Sequence, residues 1–124
     1  MPKGIDTFIA AASKHKEKRR RYRKREAIQE ELFTDWCEEN EIWCIRLVFL
    51  FGKGWPDRTL LIPGGYICFV EMKKDKTGPL SPKQIEVRSK LKKLGFKYIV
   101  GYGAVDALKK TKRYYEAIKA SHIR

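Results

Sequence analysis

Two strand-like runs separated by Pro63-Gly64-Gly65 constrain this chain more than any other feature in it. Arg58 to Ile62 and Tyr66 to Met72 are rich in aliphatic and aromatic residues, and the Pro-Gly-Gly between them reads as a tight turn. The pair is therefore expected to fold as an antiparallel hairpin. A three-residue loop symmetric about Gly64 sets Ile62 against Tyr66. Carried outward, that register places Asp57 opposite Glu71. Opposed Cβ atoms lie about 4.5–5.5 Å apart, close enough for two carboxylates to share one cation. Lys73, two residues beyond Glu71, points to the same face of the strand. A two-residue Gly64-Gly65 turn would slip the register by one and oppose Arg58 to Glu71, an ordinary cross-strand ion pair.

The rest of the chain is basic, with a net charge of +13 over 124 residues. Residues 1–25 hold ten Lys and Arg against Asp6 and Glu17. Charge of this size favours polyanions through counterion release. The basic segment lacks the regular apolar face of an interfacial helix, so nucleic acid is favoured over a membrane surface. Acidic candidate ligands in so basic a chain point to chemistry on a phosphodiester. No apolar run is long enough to span a bilayer, and no apolar leader precedes the charges at the N-terminus. Cys37, Cys44 and Cys68 form no Cys-x-x-Cys, and the only histidines, His15 and His122, lie near the two ends. The cysteines are read as reduced core residues of a cytoplasmic protein, and a zinc site is disfavoured.

Along the chain, Met1 to Ser13 is mildly apolar (Ile5, Phe8, Ile9) and is a candidate docking or dimer segment. Lys14 to Arg25 is a charge run, read either as a solvated, partly disordered arm or as a phosphate-contacting one. Arg19, Arg20, Arg21, Arg23, Lys24 and Arg25 are its candidate contacts. Glu26 to Glu39 is predicted to be a helix burying Ile28, Leu32 and Trp36, with Phe33 and Cys37 widening the stripe. Ile42 to Phe51 reads as a strand buried on both faces. Lys53, Arg58, Lys74 and Lys76 are further candidate phosphate contacts, with Arg46 beside them. Trp43 and Trp55 read as packing residues.

Ser81-Pro82-Lys83-Gln84 carries a capping box with Pro at the first helical position. The helix it starts should bury Val87, Leu91 and Leu94 and stop at Gly95. A strand over 97–101 and helices over 104–110 and 113–120 complete the order. Helix, three strands, helix, strand and helices predict an α/β fold with a mixed sheet. Its parts are a basic arm (residues 1–25), a core (26–110) and a helical tail (111–124), the last offering Tyr114, Tyr115 and Ile118 as a possible dimer surface.

From about Arg25 to Leu108 the sequence resembles the VRR-NUC domain, a branch of the PD-(D/E)xK nuclease superfamily. The pieces that carry the resemblance are Glu26-Ala-Ile-Gln29, Gly54-Trp55-Pro56-Asp57-Arg58, Pro63-Gly64-Gly65, Phe69-Val70-Glu71-Met72-Lys73 and Leu80-Ser81-Pro82-Lys83-Gln84. Gly95 and Asp106-Ala107-Leu108 follow in order. The resemblance implies a single-domain, restriction-endonuclease-like core. It implies that Asp57 and Glu71 ligate Mg²⁺, replaceable by Mn²⁺, with the Met72 backbone carbonyl beside them and Glu26 completing an acidic cluster. It makes Lys73 the residue that positions the attacking water and places Gln84 near the site, although its capping-box role alone would account for Gln84. No small-molecule cofactor is implied.

Stand-alone members of the family look like homodimeric nucleases selective for branched DNA, similar to Holliday junction resolvases. The expected function is thus metal-dependent DNA cleavage in the cytoplasm of a bacterium or a phage-infected host. Flap, nick or duplex processing in phage DNA metabolism is the alternative within nucleases. A non-catalytic DNA-binding protein on the same fold is the alternative outside them. The absence of ribonucleoprotein-type or Gly-x-x-Gly motifs argues against an RNA-binding module.

Overall fold

The computed structural model describes residues 3–47, 53–74 and 78–122. Its elements are α1 (Lys3–Glu39), β1 (Trp43–Ile45), β2 (Arg58–Ile62), β3 (Tyr66–Lys73), α2 (Pro82–Lys93), β4 (Lys97–Tyr102) and α3 (Ala104–His122). The strands form one sheet in the order β1-β2-β3-β4, antiparallel across the first three and parallel between β3 and β4. This is the expected α/β fold with a mixed sheet flanked by helices. The parallel pair needs a crossover, which α2 supplies.

The hairpin takes the symmetric register. Ile62 pairs with Tyr66 and Arg58 with Val70 across a three-residue loop, in which Gly64 and Gly65 both adopt positive φ. Side chains alternate between two faces of the sheet. On one face Leu60, Ile62, Cys68, Val70 and Ile99 pack against Phe33 and Cys37 of α1 and Ala107 and Ile118 of α3. On the other, Phe69 and Tyr98 pack against Leu91 of α2, with Trp55 closing the edge. Asp57, Glu71 and Lys73 share the parity of Phe69 and so belong to this second, α2-covered side.

The helices differ from the sequence reading in their edges. The charge run is neither a disordered arm nor a separate segment, because α1 is continuous from Lys3 to Glu39. Lys and Arg are good helix formers, and the run contains no Gly or Pro to interrupt it. The buried face of α1 is set by Phe33 and Cys37, with Trp36 half-buried, while Ile28 and Leu32 are exposed. The stripe is rotated relative to the one expected, and Glu30 lies 3.8 Å from the buried Arg58.

The stripe of α2 is likewise shorter than expected: Leu91 is buried and Val87 packs beside it, but Leu94 is the C-cap and is exposed. Gly95 takes φ 93°, as a stop residue requires. The two helices expected after β4 are one, α3, and Ile118, Tyr114 and Tyr115 pack into this chain's own core. Tyr115 meets Trp36 edge-on at 5.5 Å. Those side chains therefore do not form the dimer surface read from the sequence. The apolar side chains of Ile5, Phe8 and Ile9 lie outside what the structure describes.

The strand expected over 42–51 is an edge strand of three residues, with Trp43 exposed rather than packed. Its expected continuation over 48–51 lies outside the described residues, as does Lys76. Cys37 and Cys68 are buried, Cys44 is half-buried, and all three are free thiols. Burial pushes the Cys68 thiol up to about 12. Among the described residues, no helix is long and apolar enough to cross a membrane.

Candidate functional site

The hairpin ladder ends at Arg58 and Val70, and the next residue on the first strand is Asp57. Its side chain continues the ladder in place of backbone: the Met72 N–H donates to Asp57 Oδ2 at 2.7 Å. The carboxylate is thereby fixed beside Glu71. Glu71 is only 3% exposed. Burial, first, and then the neighbouring Asp57 charge push its carboxyl up to about 7, against the pull of Lys73. Two carboxylates held together at the end of a sheet resist ionising at once unless a cation joins them.

Gln84 ties this pair to the lysine. Its Nε2 donates to Glu71 Oε1 at 2.9 Å, and its Oε1 accepts from Lys73 Nζ at 2.7 Å. Lys73 Nζ lies 4.0 Å from Glu71 Oε1, so the amide bridges the two charges more closely than they meet directly. The same Gln84 Oε1 accepts from the Ser81 N–H at 2.9 Å, and the Gln84 N–H donates to Ser81 Oγ at 3.2 Å. Gln84 is therefore both the cap of α2 and a member of the site. Its two roles coincide because α2 begins directly over the end of β3. Gly54 allows that approach: with φ 94°, a Cβ there would lie 2.7 Å from the Lys83 carbonyl oxygen.

One oxygen of this network is left over. Glu71 Oε2 is buried without a hydrogen-bond partner, as is the Tyr98 hydroxyl. Tyr98 pairs with Phe69 in the parallel register and so stands on the same face as Glu71. Burial and the charge of Glu71 hold the Tyr98 phenol well above its ordinary range. The sequence reading missed Tyr98, because only the β3–β4 register brings it there.

A cleft of about 160 Å³ opens at this end of the sheet. Asp57, Met72 and Lys73 form one side, with Glu26 and Gln29 of α1 opposite. Arg46, Lys74, Gly103 and Ala104 at the start of α3 also reach it. Glu71 and Gln84 are not on its wall. Glu26 faces the cleft, but among the described residues no three His, Cys, Asp or Glu side chains gather as a metal cage. The expected cluster of Glu26, Asp57 and Glu71 is thus a pair, with Glu26 across from it. Arg58 bridges α1 and the strand at this point. It is buried, lies 3.8 Å from Glu30 and donates to the Asp57 carbonyl at 3.2 Å.

The surface cations are arranged as follows. Arg19, Arg20, Arg21, Arg23, Lys24 and Arg25 are all exposed on α1, and Lys53 and Lys74 are exposed, the latter at the cleft. Trp55 packs edge-on against Phe69 at 5.4 Å, in keeping with its expected packing role.

No protein-family model matches the sequence, and no curated protein matches it. A solved structure described as a VRR_NUC domain matches with a TM-score of 0.64 and 26% identity, over 73% of this chain and 97% of that one.

Proposed function

Since the chain belongs to the VRR-NUC family and has that family's nuclease-like fold, we propose that it is a metal-dependent endonuclease that hydrolyses phosphodiester bonds in DNA. The observation that carries this reading is the buried, unpartnered Glu71 Oε2 beside the Asp57 carboxylate. A polar atom with no partner in such a place is costly unless a ligand completes it.

The donor set fits Mg²⁺ or Mn²⁺. Both oxygens would come from hard carboxylates, and Mg²⁺ is commonly held by one or two of these while keeping several waters. Asp57 and Glu71 would hold it, with the Met72 carbonyl as a further donor and Glu26 facing them from across the cleft. Such an ion supplies a water of lowered pKa and polarises the phosphate.

The chain's own groups do the rest. Lys73 places a positive charge next to the carboxylates, where it can orient a water and offset charge that builds on the phosphate oxygens. Gln84 fixes Lys73 and Glu71 relative to each other, so neither needs to reorganise. Arg46 and Lys74 at the cleft, with Lys53 on the adjoining loop, supply phosphate contacts. Arg58 holds the strand end on which Asp57 stands.

Branched DNA is the proposed substrate and a homodimer the proposed working form, because paired cuts on a junction need two sites related by symmetry. The exposed apolar groups Ile28, Leu32 and Trp43 are available for a second copy. The test compares the parent and Asp57→Ala on labelled four-way junction, flap, duplex and single-stranded DNA with Mg²⁺ or Mn²⁺. Metal-dependent cutting by the parent alone, with paired symmetric cuts in the junction, is expected. Cutting of flaps or duplex in preference would move the substrate to end or nick processing. Tight binding with no cleavage by the parent would leave a DNA-binding protein on a nuclease fold.

A further inference from the structure

The structure turns the basic run into a rigid rod with a particular distribution of charge. From Lys14 to Arg25 the helix carries nine cations and a single Glu, and every side chain described in this stretch is exposed. The rod is one piece with the anchored part of α1, where Phe33 and Cys37 are fully buried in the core. Its direction relative to the cleft is therefore set by the fold, and Glu26 at the cleft is the residue next to Arg25.

At 3.6 residues per turn eight of the nine cations fall into two stripes, with Lys24 between them. Lys14, Lys18, Arg21 and Arg25 follow one line along the helix. Lys16, Arg19, Arg20 and Arg23 follow another, about 180° away around the axis. A helix that lies along a single phosphate backbone needs cations on one side only. A helix flanked by phosphates on both sides needs them on opposite sides. The major groove of B-DNA is about 12 Å wide, which matches the diameter of about 10–12 Å of an α-helix with its side chains. Self-association of two such rods would bring like charges together, so a second copy of this chain is a poor occupant.

We propose that residues 14–25 of α1 enter the major groove of the duplex next to the cleft, with one stripe of cations on the phosphates of each groove wall. This rests on the reading that the partner is DNA, and adds to it how the duplex is held. At about 1.5 Å per residue the stripes extend about 17 Å, or about five base pairs of axis. The stripes are nearly all phosphate-binding side chains, so the grip is independent of base sequence.

The test measures binding of the full chain to a linear duplex in EDTA over a range of salt. Two variants are compared with the parent: K14Q/K18Q/R21Q/R25Q and K16Q/R19Q/R20Q/R23Q. Gln has nearly the helix propensity of Lys and Arg, and circular dichroism checks that the rod persists. Each variant should lower the slope of log K against log salt by roughly three to four, the share of four phosphates. A duplex whose major groove is filled by bulky 5-substituted cytosines should bind the parent more weakly, whereas a minor-groove ligand should not compete. A slope change in only one variant would overturn the proposal in favour of a helix lying on one backbone. No change in either, or indifference to the filled groove, would also overturn it. Cleavage is assayed separately with Mg²⁺. Absence of cleavage with these binding results intact would remove the nuclease reading and leave the groove contact standing.

Discussion

Replacing Gln84 by Glu separates its two roles. Glu at this position of a capping box still accepts from the Ser81 N–H, so α2 keeps its start. The same carboxylate oxygen still accepts from Lys73. What changes is the atom 2.9 Å from Glu71 Oε1, which turns from a donor into an acceptor. A hydrogen bond to a charged group contributes about 1.5–3 kcal/mol, and that is lost. At an effective dielectric near 20, two ionised oxygens at such a spacing would repel by about 6 kcal/mol. The pair escapes most of this by keeping a proton, at about 1.4 kcal/mol per pH unit. In metal-free protein at pH 8, Q84E should therefore lose about 2–4 kcal/mol. At pH 5 a shared proton restores a donor between residues 71 and 84, and the loss should fall below about 1 kcal/mol. Urea unfolding of the parent, Q84E and Q84A in EDTA at both pH values measures this. Q84A loses the cap and the bridge together, so its loss should change less with pH. If Q84E unfolds like the parent at pH 8, Gln84 is a cap and nothing more, and the bridge between Glu71 and Lys73 has no energetic meaning.

Other outcomes follow from the same geometry. Glu71 has a folded pKa of about 7, raised from an ordinary 4.5. The stability this contributes in metal-free protein is fully present below the unfolded value and is lost as pH rises through the folded one. Unfolding free energy in EDTA should thus drop by about 3 kcal/mol between pH 4.5 and 7.5, and Glu71→Gln should flatten the profile. Lys73→Ala should reduce single-turnover cleavage by at least about a hundredfold while binding to DNA in EDTA changes little; a parallel loss of binding would make Lys73 structural. Gly101→Ala should destabilise the chain by about 1–3 kcal/mol in urea unfolding, because a Cβ there would lie 2.5 Å from the Ala107 Cα. Gly54→Ala should lower both stability and cleavage, since the added methyl displaces the start of α2 and with it Gln84.

Much of the site was legible because it is built from short-range chemistry. The Pro63-Gly64-Gly65 loop sets the hairpin register, and the register alone puts Asp57 beside Glu71. Ser81 and Gln84 announce the start of α2 by their capping pattern. What the sequence did not reveal depends on how distant elements dock. Ile28 and Leu32 fit an apolar stripe as well as Phe33 does, and only the docking of α1 on the sheet shows which face turns inward. Tyr114, Tyr115 and Ile118 look like a free apolar surface until α3 is seen lying on the sheet. Tyr98 enters the site through a parallel pairing that no local pattern encodes. Gln84 could be read as a cap from its neighbours, but its bonds to Glu71 and Lys73 require knowing where α2 lands.

The two carboxylates stand on one hairpin, only fourteen residues apart in the chain. Hairpins close in about 1–10 μs, well before long-range docking of helices is complete in most domains. The electrostatic conflict between Asp57 and Glu71 is therefore met at the start of folding rather than at its end. Acid or a divalent ion, either of which relieves that conflict, should accelerate the folding limb of the kinetics more than it slows unfolding. In this chain the site's chemistry and the rate at which the protein is made are coupled through the same pair of oxygens.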